Sequence, residues 1–280
     1  MAVSRVKIED TLVFKGEFTA EFCPGVNVII GGNGTGKTTL LRAIHRSVLY
    51  IEEHLNLPPQ PGRVFFRPGQ NNVTIDFVNL DINIKETLHC AYIPEKDILE
   101  HAKGLLSFIE GKQNDFSTIY RRVLIAAQDT PTKEQSETQK SICDRISHLI
   151  GGRVEWVQGE GRFYTIKSDG ARIPFFNEAS GFKKLGFLGL LVACGQLEPG
   201  TVLFWDEPEN SLNPELVPKL VDILLELSRS GVQIFIATHS ELLANYFDVS
   251  RTNRDTVLFT SLYKEGEYIK VTSSGRFDLL

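Results

Sequence analysis

The fold is decided by one stretch, Gly31-Gly32-Asn33-Gly34-Thr35-Gly36-Lys37-Thr38, which fills every fixed position of the phosphate-loop pattern GxxxxGK[ST]. Residues 26–30 (VNVII) before it predict a buried strand, and residues 39–44 (TLLRAI) after it predict an amphipathic helix. Glycines let a backbone wrap phosphates with its N–H groups pointing inward, and the helix dipole favours an anion there. The stretch therefore predicts a nucleoside triphosphate site, in which Lys37 reaches the β- and γ-phosphates and the Thr38 hydroxyl ligates Mg²⁺.

The composition is that of an ordinary globular protein, because 42% of the 280 residues are hydrophobic and 23% are charged. The net charge of −5 argues against a basic surface over the whole body. No apolar run reaches the roughly 20 residues that cross a bilayer, and residues 1–7 lack the hydrophobic block of a signal peptide. We therefore expect a cytoplasmic protein, with reduced thiols at the scattered positions Cys23, Cys90, Cys143 and Cys194.

Within residues 1–180, the predicted secondary structure changes near residue 95 from mainly strands to mainly helices. Residues 1–94 predict short antiparallel strands, the phosphate-loop strand, a helix from Lys37 to about Glu53, and further strands over 63–66, 73–78 and 87–93. Residues 95–180 are typical of an inserted, mainly helical part. Its predicted helices cover 97–109, 117–127 and 136–150, and a hairpin follows over 153–157 and 162–166, with a turn at 168–170.

Residues 181–280 return to an alternation of helices and strands. They predict a helix over 183–195, a strand over 202–205, a helix over 214–228, a strand over 233–237, a short helix from Glu241, and a hairpin over 257–263 and 268–272. Alternation of this kind indicates an α/β fold, with a mainly parallel sheet that has helices on its faces. We therefore expect three parts, 1–94, 95–180 and 181–280.

Two further strands end in residues suited to phosphate chemistry. The apolar residues 202–205 (VLFW) are followed by Asp206 and Glu207, at the carboxyl end of a strand, where parallel sheets bind their ligands. Asp206 would hold Mg²⁺, and Glu207 would act as the general base toward the attacking water. Residues 234–237 (IFIA) similarly end in Thr238-His239-Ser240, and His239 is placed to reach the γ-phosphate.

These motifs, in this order, resemble those of ABC-type ATPases. The phosphate loop, Asp206-Glu207-Pro208, Ser211-Leu212-Asn213-Pro214 and Thr238-His239-Ser240 are similar to the Walker A motif, the Walker B motif, the D-loop and the H-loop. Within that superfamily the chain resembles the soluble SMC-like and RecF-like branch of AAA-family ATP-binding proteins, over residues 3–51 and 177–246. The resemblance implies a P-loop NTPase with ABC-ATPase architecture, an N-terminal antiparallel β subdomain and an inserted helical subdomain. It also implies that ATP is bound with Mg²⁺ and hydrolysed.

The resemblance assigns further residues to the site. It adds Gly31, Asn33, Gly34, Thr35, Gly36 and Thr39 of the phosphate loop to the nucleotide ligands, and it implies a signature motif at the start of the helix before Walker B. Ser180 and Gly181 match that motif, whereas Phe182 and Lys183 replace the second glycine and the glutamine of transporters. The alternative is that Ser180 only caps the helix.

Two expected parts have no clear match. Glu95 stands near the position of the Q-loop glutamine, where it either senses the metal or marks the loss of that role. An aromatic residue that stacks on adenine is unassigned, and Phe14 and Phe18 are candidates that equally fit the core of their strand.

The resemblance implies that two copies sandwich two ATP molecules, so that ATP binding closes a homodimer and hydrolysis opens it. The leading hypothesis is a switch that controls a soluble effector such as a nuclease, or acts on nucleic acid, in phage defence or genome maintenance. One alternative is the nucleotide-binding subunit of a membrane transporter. Another is a nucleic-acid binding module whose ATP site only stabilises the fold. Its basic residues would contact phosphates, unless they are simply solvated surface; they are Arg121, Arg122, Lys183, Lys184 and Arg229.

Overall fold

The computed structural model describes residues 2–11, 13–54, 63–66, 72–78, 89–95, 99, 124–125, 127–128 and 134–280. Its strands are β1 (Ala2–Thr11), β2 (Phe14–Glu21), β3 (Val26–Gly31), β4 (Arg63–Phe66), β5 (Asn72–Val78), β6 (Cys90–Ile93), β7 (Gly152–Val157), β8 (Arg162–Lys167), β9 (Arg172–Pro174), β10 (Val202–Asp206), β11 (Gln233–Thr238), β12 (Val257–Glu265) and β13 (Tyr268–Ser274). Its longer helices are α1 (Lys37–His54), α2 (Glu137–Ile150), α3 (Ser180–Ala193), α4 (Val217–Arg229) and α5 (Glu241–Ser250).

The central sheet has the strand order β13-β12-β3-β11-β10-β6. Strands β12, β3, β11, β10 and β6 are parallel, and only β13 runs antiparallel, as the partner of β12. Strands β10 and β11 are buried along their whole length, because helices cover both faces of the sheet. The carboxyl ends of five parallel strands consequently lie along one edge of the sheet, as the sequence predicts for an α/β fold.

Helix α1 packs between the central sheet and a second, antiparallel sheet of order β2-β1-β5-β4. Its buried residues Leu40, Leu41, Ile44 and Val48 recur with helical spacing and join one core with Phe14 and Phe18. The side chain of Gln233 links the two sheets, since its Oε1 accepts a hydrogen bond from the Val3 amide at 2.8 Å and its Nε2 donates to the Val3 carbonyl at 2.8 Å. The predicted N-terminal antiparallel subdomain is confirmed.

The other face of the central sheet is covered by α2 to α5 and by a third sheet of order β7-β8-β9. Helix α3 is buried on almost every side, and two glycines permit its close packing. A Cβ atom at Gly186 would lie 2.6 Å from Val154 Cγ2, and one at Gly189 would lie 3.0 Å from Ile146 Cγ2. Helix α3 is therefore held firmly between α2 and β7.

Most predicted elements agree with the structure, and the differences are local. The hairpin at 153–166 has a third strand, β9, because the predicted turn at 168–170 leads into another pairing. Helix α3 begins at Ser180 instead of Lys183, and residues 214–216 form a short 3₁₀ turn before α4. The helices predicted over 97–109 and 117–127 lie almost wholly outside the described residues, and the three-part division stays a prediction.

The four cysteines are free thiols, as predicted, although each is half-buried and none lies deep in the core. Burial raises the pKa of the Cys23 and Cys143 thiols to about 11, which keeps both thiols protonated at neutral pH. Within the described ranges, no helix is both long enough and apolar enough to span a bilayer.

Candidate functional site

The phosphate loop leaves β3 and enters α1 at the carboxyl edge of the central sheet. Its buried Lys37 donates from Nζ to the Gly31 and Gly32 carbonyls at 2.8 and 3.1 Å, and the Thr35 hydroxyl donates to the Gly32 carbonyl at 2.9 Å. Gly34 and Gly36 have φ values of 73° and 90°, which other residues rarely adopt. The loop thus curls around its own lysine at a helix N-terminus, an arrangement suited to anions.

Asp206, at the end of β10, faces the start of α1. Its Oδ1 accepts a hydrogen bond from the Thr38 hydroxyl at 3.0 Å, and its Oδ2 accepts one from the Tyr92 hydroxyl at 3.4 Å. Burial raises the pKa of Asp206, the nearby charges of Glu207 and Glu95 raise it further, and the Thr38 hydrogen bond opposes the shift. A buried carboxylate beside a hydroxyl is a donor set that fits Mg²⁺, which prefers oxygen ligands.

Glu207 has a strained backbone, with a φ of 48°. The left-handed conformation costs a non-glycine residue roughly 1–2 kcal/mol. Three hydrogen bonds hold it: the Glu207 amide donates to the Ala237 carbonyl at 2.8 Å, and the Glu207 carbonyl accepts from the Asn210 amide at 3.1 Å and from Lys184 Nζ at 2.7 Å. Strain that is maintained by so many contacts is typical of functional positions.

His239 follows β11 and lies next to Glu207. Its Nδ1 is 3.1 Å from Glu207 Oε1 and 3.8 Å from Glu209 Oε1, and the His239 side chain is 53% exposed. Glu209 is fixed in turn by a hydrogen bond from the Thr238 hydroxyl. The structure therefore brings the predicted acids and the predicted histidine together beside the phosphate loop.

The start of α3 has a different environment. Ser180 is the first residue of α3 and is exposed, while Ala179 is the N-cap and forms no side-chain cap hydrogen bond. The alternative that Ser180 only caps its helix is therefore wrong. Gly181 is buried against the predicted D-loop, where a Cβ atom would lie 3.1 Å from Leu212 Cδ1. Across the described residues, no hydrogen bond joins Ser180 to the phosphate loop of its own chain.

Two family models match the chain. The model described as "AAA domain, putative AbiEii toxin, Type IV TA system" matches residues 92–245, and the model described as "AAA domain" matches residues 5–155. Each match spans more than half of the 280 residues. The chain belongs to the AAA-domain family. The first match contains Ser180, Asp206, Glu207 and His239, and the second contains the phosphate loop.

Solved structures with the same fold as this AAA-domain protein include SMC head domains. A SmcHead bound to the C-winged helix domain of ScpA has a TM-score of 0.62 at 14% identity, over 100% of this chain and 99% of that chain. An SMC head with an extended coiled coil, bound to the C-terminal domain of ScpA derived from Pyrococcus furiosus, has a TM-score of 0.57 at 11% identity, over 98% and 96%.

The SMC head domain from Thermotoga maritima has a TM-score of 0.52 at 15% identity, over 98% of this chain and 99% of that chain. No curated protein matches the chain. The family matches place the chain among AAA domains, and the solved structures show that it has the fold of SMC head domains.

The structure locates the residues considered for the two parts without a clear match. Glu95 is exposed after β6, and its Oε1 accepts a hydrogen bond from Asn210 Nδ2 at 3.0 Å, so it contacts the turn after Glu207. Phe14 and Phe18 are both buried, with ring centroids 4.5 Å apart. They belong to the core, which is the second of the two interpretations given for them.

Sequence reasoning assigned no catalytic-site role to two lysines near the site. Lys184 is buried and contacts the Glu207 carbonyl. Lys264, near the end of β12, lies beside the phosphate loop, since a Cβ atom at Gly34 would be 3.6 Å from Lys264 Nζ. Only the position of β12 next to β3 in the sheet reveals that proximity.

Among the basic residues of the nucleic-acid hypothesis that the structure describes, the two lysines are buried and the arginine is ion-paired. Lys183 and Lys184 are only 6% and 4% exposed, because α3 is buried, and Arg229 forms a two-pronged ion pair with Asp255 at 2.6 and 2.8 Å. The expectation that Lys183 and Lys184 contact phosphates or solvent is therefore wrong. Arg121 and Arg122 lie outside the described residues.

Proposed function

We propose that this AAA-domain protein binds ATP with Mg²⁺ and hydrolyses it at a site that a second copy of the chain completes. One observation carries the proposal. The phosphate loop, Asp206, Glu207 and His239 lie along one sheet edge with mutual contacts. Ser180 is exposed, and within the described part of the chain no hydrogen bond joins it to that edge. A signature serine that its own chain does not use is free to contact the nucleotide of another copy.

In the proposed reaction, backbone amides of residues 31–38 and Lys37 bind the phosphates. Thr38 and Asp206 would hold Mg²⁺, which supplies positive charge to the phosphate oxygens. Glu207 accepts a proton from a water molecule as the water oxygen attacks the γ-phosphorus, and the bond to the ADP oxygen breaks. His239 holds the Glu207 carboxylate in place and reaches the γ-phosphate.

The dimer is two-fold, so the same surface of each copy faces the other. Ser180 and Gly181 of the second copy would contact the γ-phosphate bound by the first, through the hydroxyl and the amides at the start of α3. ATP then favours the closed state of the pair, and hydrolysis removes the contact that holds it closed.

We further propose that this switch acts on a soluble partner. The SMC heads with the same fold are bound to a domain of ScpA, and one matching family is described as a putative toxin of a type IV system, which supports control of an effector such as a nuclease in phage defence or genome maintenance. Phe182, Lys183 and Glu95 depart from the transporter pattern, and this favours a soluble effector over a membrane partner.

Glu207→Gln tests the proposed chemistry. The amide is nearly isosteric but cannot accept the proton of water, so we expect hydrolysis to fall by about 10²–10⁴-fold while ATP binding is retained. Light scattering of the variant with ATP and Mg²⁺ should report dimers. Glu215→Gln, an exposed acid outside the site, is the matched control. Hydrolysis by Glu207→Gln at the parental rate would falsify the assignment.

A further inference from the structure

We propose that Lys184 is a positioning residue for hydrolysis, which holds the strained backbone of Glu207 and links that backbone to the helix that carries Ser180. The inference rests on the proposed function. It concerns a buried lysine that touches neither the phosphate loop nor Asp206 through any described hydrogen bond, but that contacts the backbone of the general base.

The first step is the contact itself. Lys184 Nζ donates to the Glu207 carbonyl at 2.7 Å, and Lys184 is only 4% exposed. A lysine side chain is rarely buried so completely unless its polar end has a specific partner. Here the partner is a main-chain oxygen of the one residue in the site that has both a left-handed backbone and a catalytic role.

The second step is the effect on Glu207. Its amide is fixed by Ala237 and its carbonyl by Asn210 and Lys184, so the peptide planes on both sides of Glu207 are held. Those planes set the direction in which the carboxylate leaves the backbone, toward His239 Nδ1 at 3.1 Å. Without Lys184 the carbonyl keeps only the Asn210 amide at 3.1 Å, and the left-handed conformation is free to relax.

The third step connects two sites. Ser180 and Lys184 are four residues apart on α3, and residues with this spacing lie on the same face of a helix. Ser180, in the first turn of α3, thus faces outward, and Lys184, one turn later on the same face, contacts Glu207 of the same chain. When Ser180 contacts the ATP of a second copy, any shift of α3 moves the donor that positions the chain's own general base.

Lys183 provides a matched control, since it is also a buried lysine of α3, with 6% exposure. It lies one position earlier and therefore points about 100° away around the helix. If hydrolysis depends only on charge or packing in α3, replacement of either lysine should lower kcat equally. If it depends on the contact with Glu207, only replacement of Lys184 should lower kcat.

The test is steady-state ATP hydrolysis by Lys184→Met, Lys184→Arg and Lys183→Met, with the thermal midpoint measured for each. We expect Lys184→Met to lower kcat at least tenfold and to leave KM for ATP within twofold of the parent, because the phosphate loop is untouched. Lys184→Arg, which keeps a donor, should recover most of the rate, and Lys183→Met should stay within twofold. If Lys184→Met does not fold, Lys184→Leu, which also lacks a donor, replaces it.

The link to Ser180 is tested by a double-mutant cycle with Ser180→Ala. We expect the kcat of Ser180→Ala combined with Lys184→Met to exceed the value that independent effects give, and the cycle with Lys183→Met to be multiplicative. Parental kcat in folded Lys184→Met, or an equal loss in Lys183→Met, would overturn the positioning role. Multiplicative effects in the first cycle would overturn the link. Inactivity of the parent itself would instead refute the proposed function.

Discussion

The catalytic edge of the sheet and the start of α3 are built in opposite ways. At the edge, polar groups find partners inside the chain: Thr38 contacts Asp206, and His239 contacts Glu207. At the start of α3, Ser180 faces solvent while the residue behind it, Gly181, is packed tightly against Leu212. In the proposed function, the first region carries out the chemistry, whereas the second, fixed from behind, presents a group to a second copy of the chain.

Among the variants that test this comparison, Ser180→Arg should have the largest effect, because it alters the exposed start of α3. A long side chain at the exposed start of α3 does not fit between this helix and the phosphate loop of a second copy, so we expect hydrolysis to fall at least tenfold and the ATP-dependent dimer to be lost. Binding of ATP to the single chain should persist, because its own loop is unchanged. Hydrolysis and light scattering measure the two effects.

Ser168→Arg is the control for that variant, as Ser168 is exposed in a turn of the third sheet. It should behave like the parent in both measurements. A Ser180→Arg protein that still dimerises with ATP would show that the start of α3 is not part of the interface.

Replacement of Asp255 should change the stability of the fold without changing the function of either region. Although burial would raise its pKa, hydrogen bonds from Arg229 and Thr252 lower the pKa of Asp255 to about 2. A lowered carboxyl pKa stabilises the fold above the unfolded value near 3.9, and this contribution is lost as the pH falls toward 2. We expect Asp255→Asn to lower the free energy of unfolding at pH 7 by about 1–2 kcal/mol.

Urea unfolding between pH 7 and pH 2 checks this effect. The parent should lose the Asp255 contribution between about pH 4 and pH 2, and Asp255→Asn should lack that part of the decline. Its kcat should equal that of the parent, because the ion pair lies at the end of α4, away from the catalytic edge. Reduced kcat in Asp255→Asn would mean that stability and activity are coupled more widely.

Asp206→Asn should stabilise the fold and at the same time remove a proposed ligand of Mg²⁺. Since burial and neighbouring acids raise the pKa of Asp206, its ionised form destabilises the fold at pH 7, and this penalty disappears as the pH falls through the raised pKa. The neutral amide removes the penalty, so we expect a higher thermal midpoint without nucleotide. Thermal unfolding should also show that Mg²⁺ no longer increases stabilisation by ATP. A lower thermal midpoint for the ligand-free variant would contradict the electrostatic explanation.

Lys264→Gln should give the smallest change. Its Nζ lies beside Gly34 of the phosphate loop, so its loss removes one positive charge near the phosphates. We expect the Kd for ATP to rise about threefold at low salt, and less at high salt because the charge is exposed. Lys270→Gln is the matched control in the same hairpin, where Lys270 faces Glu265 at 4.0 Å. Equal affinities of both variants would remove Lys264 from the site.

The catalytic edge was largely predictable from the sequence, and the surroundings of α3 were not. A phosphate loop and an acid pair that each follow a buried strand must meet at one edge of a parallel sheet, whichever order the strands take. By contrast, the contact between Lys184 and Glu207 joins a helix to a turn 23 residues later, and no local pattern indicates it. Paired lysines normally indicate a solvated surface, and only the burial of both lysines on α3 reverses that expectation.

The central claim is that each nucleotide site uses residues of two chains, and mixing two defective variants tests it most directly. Glu207→Gln and Ser180→Arg proteins, each inactive alone, are mixed before ATP is added. In a mixed dimer, the Ser180→Arg chain keeps its own Glu207 and meets the intact Ser180 of the other chain, so one complete site forms. Random pairing would make about half of the pairs mixed, each with one intact site, but the long side chain still hinders the other site of a mixed pair. We therefore predict a rate above the sum of the separate variants and at most about a quarter of the parental rate. A rate no higher than the sum of the separate variants would contradict the account.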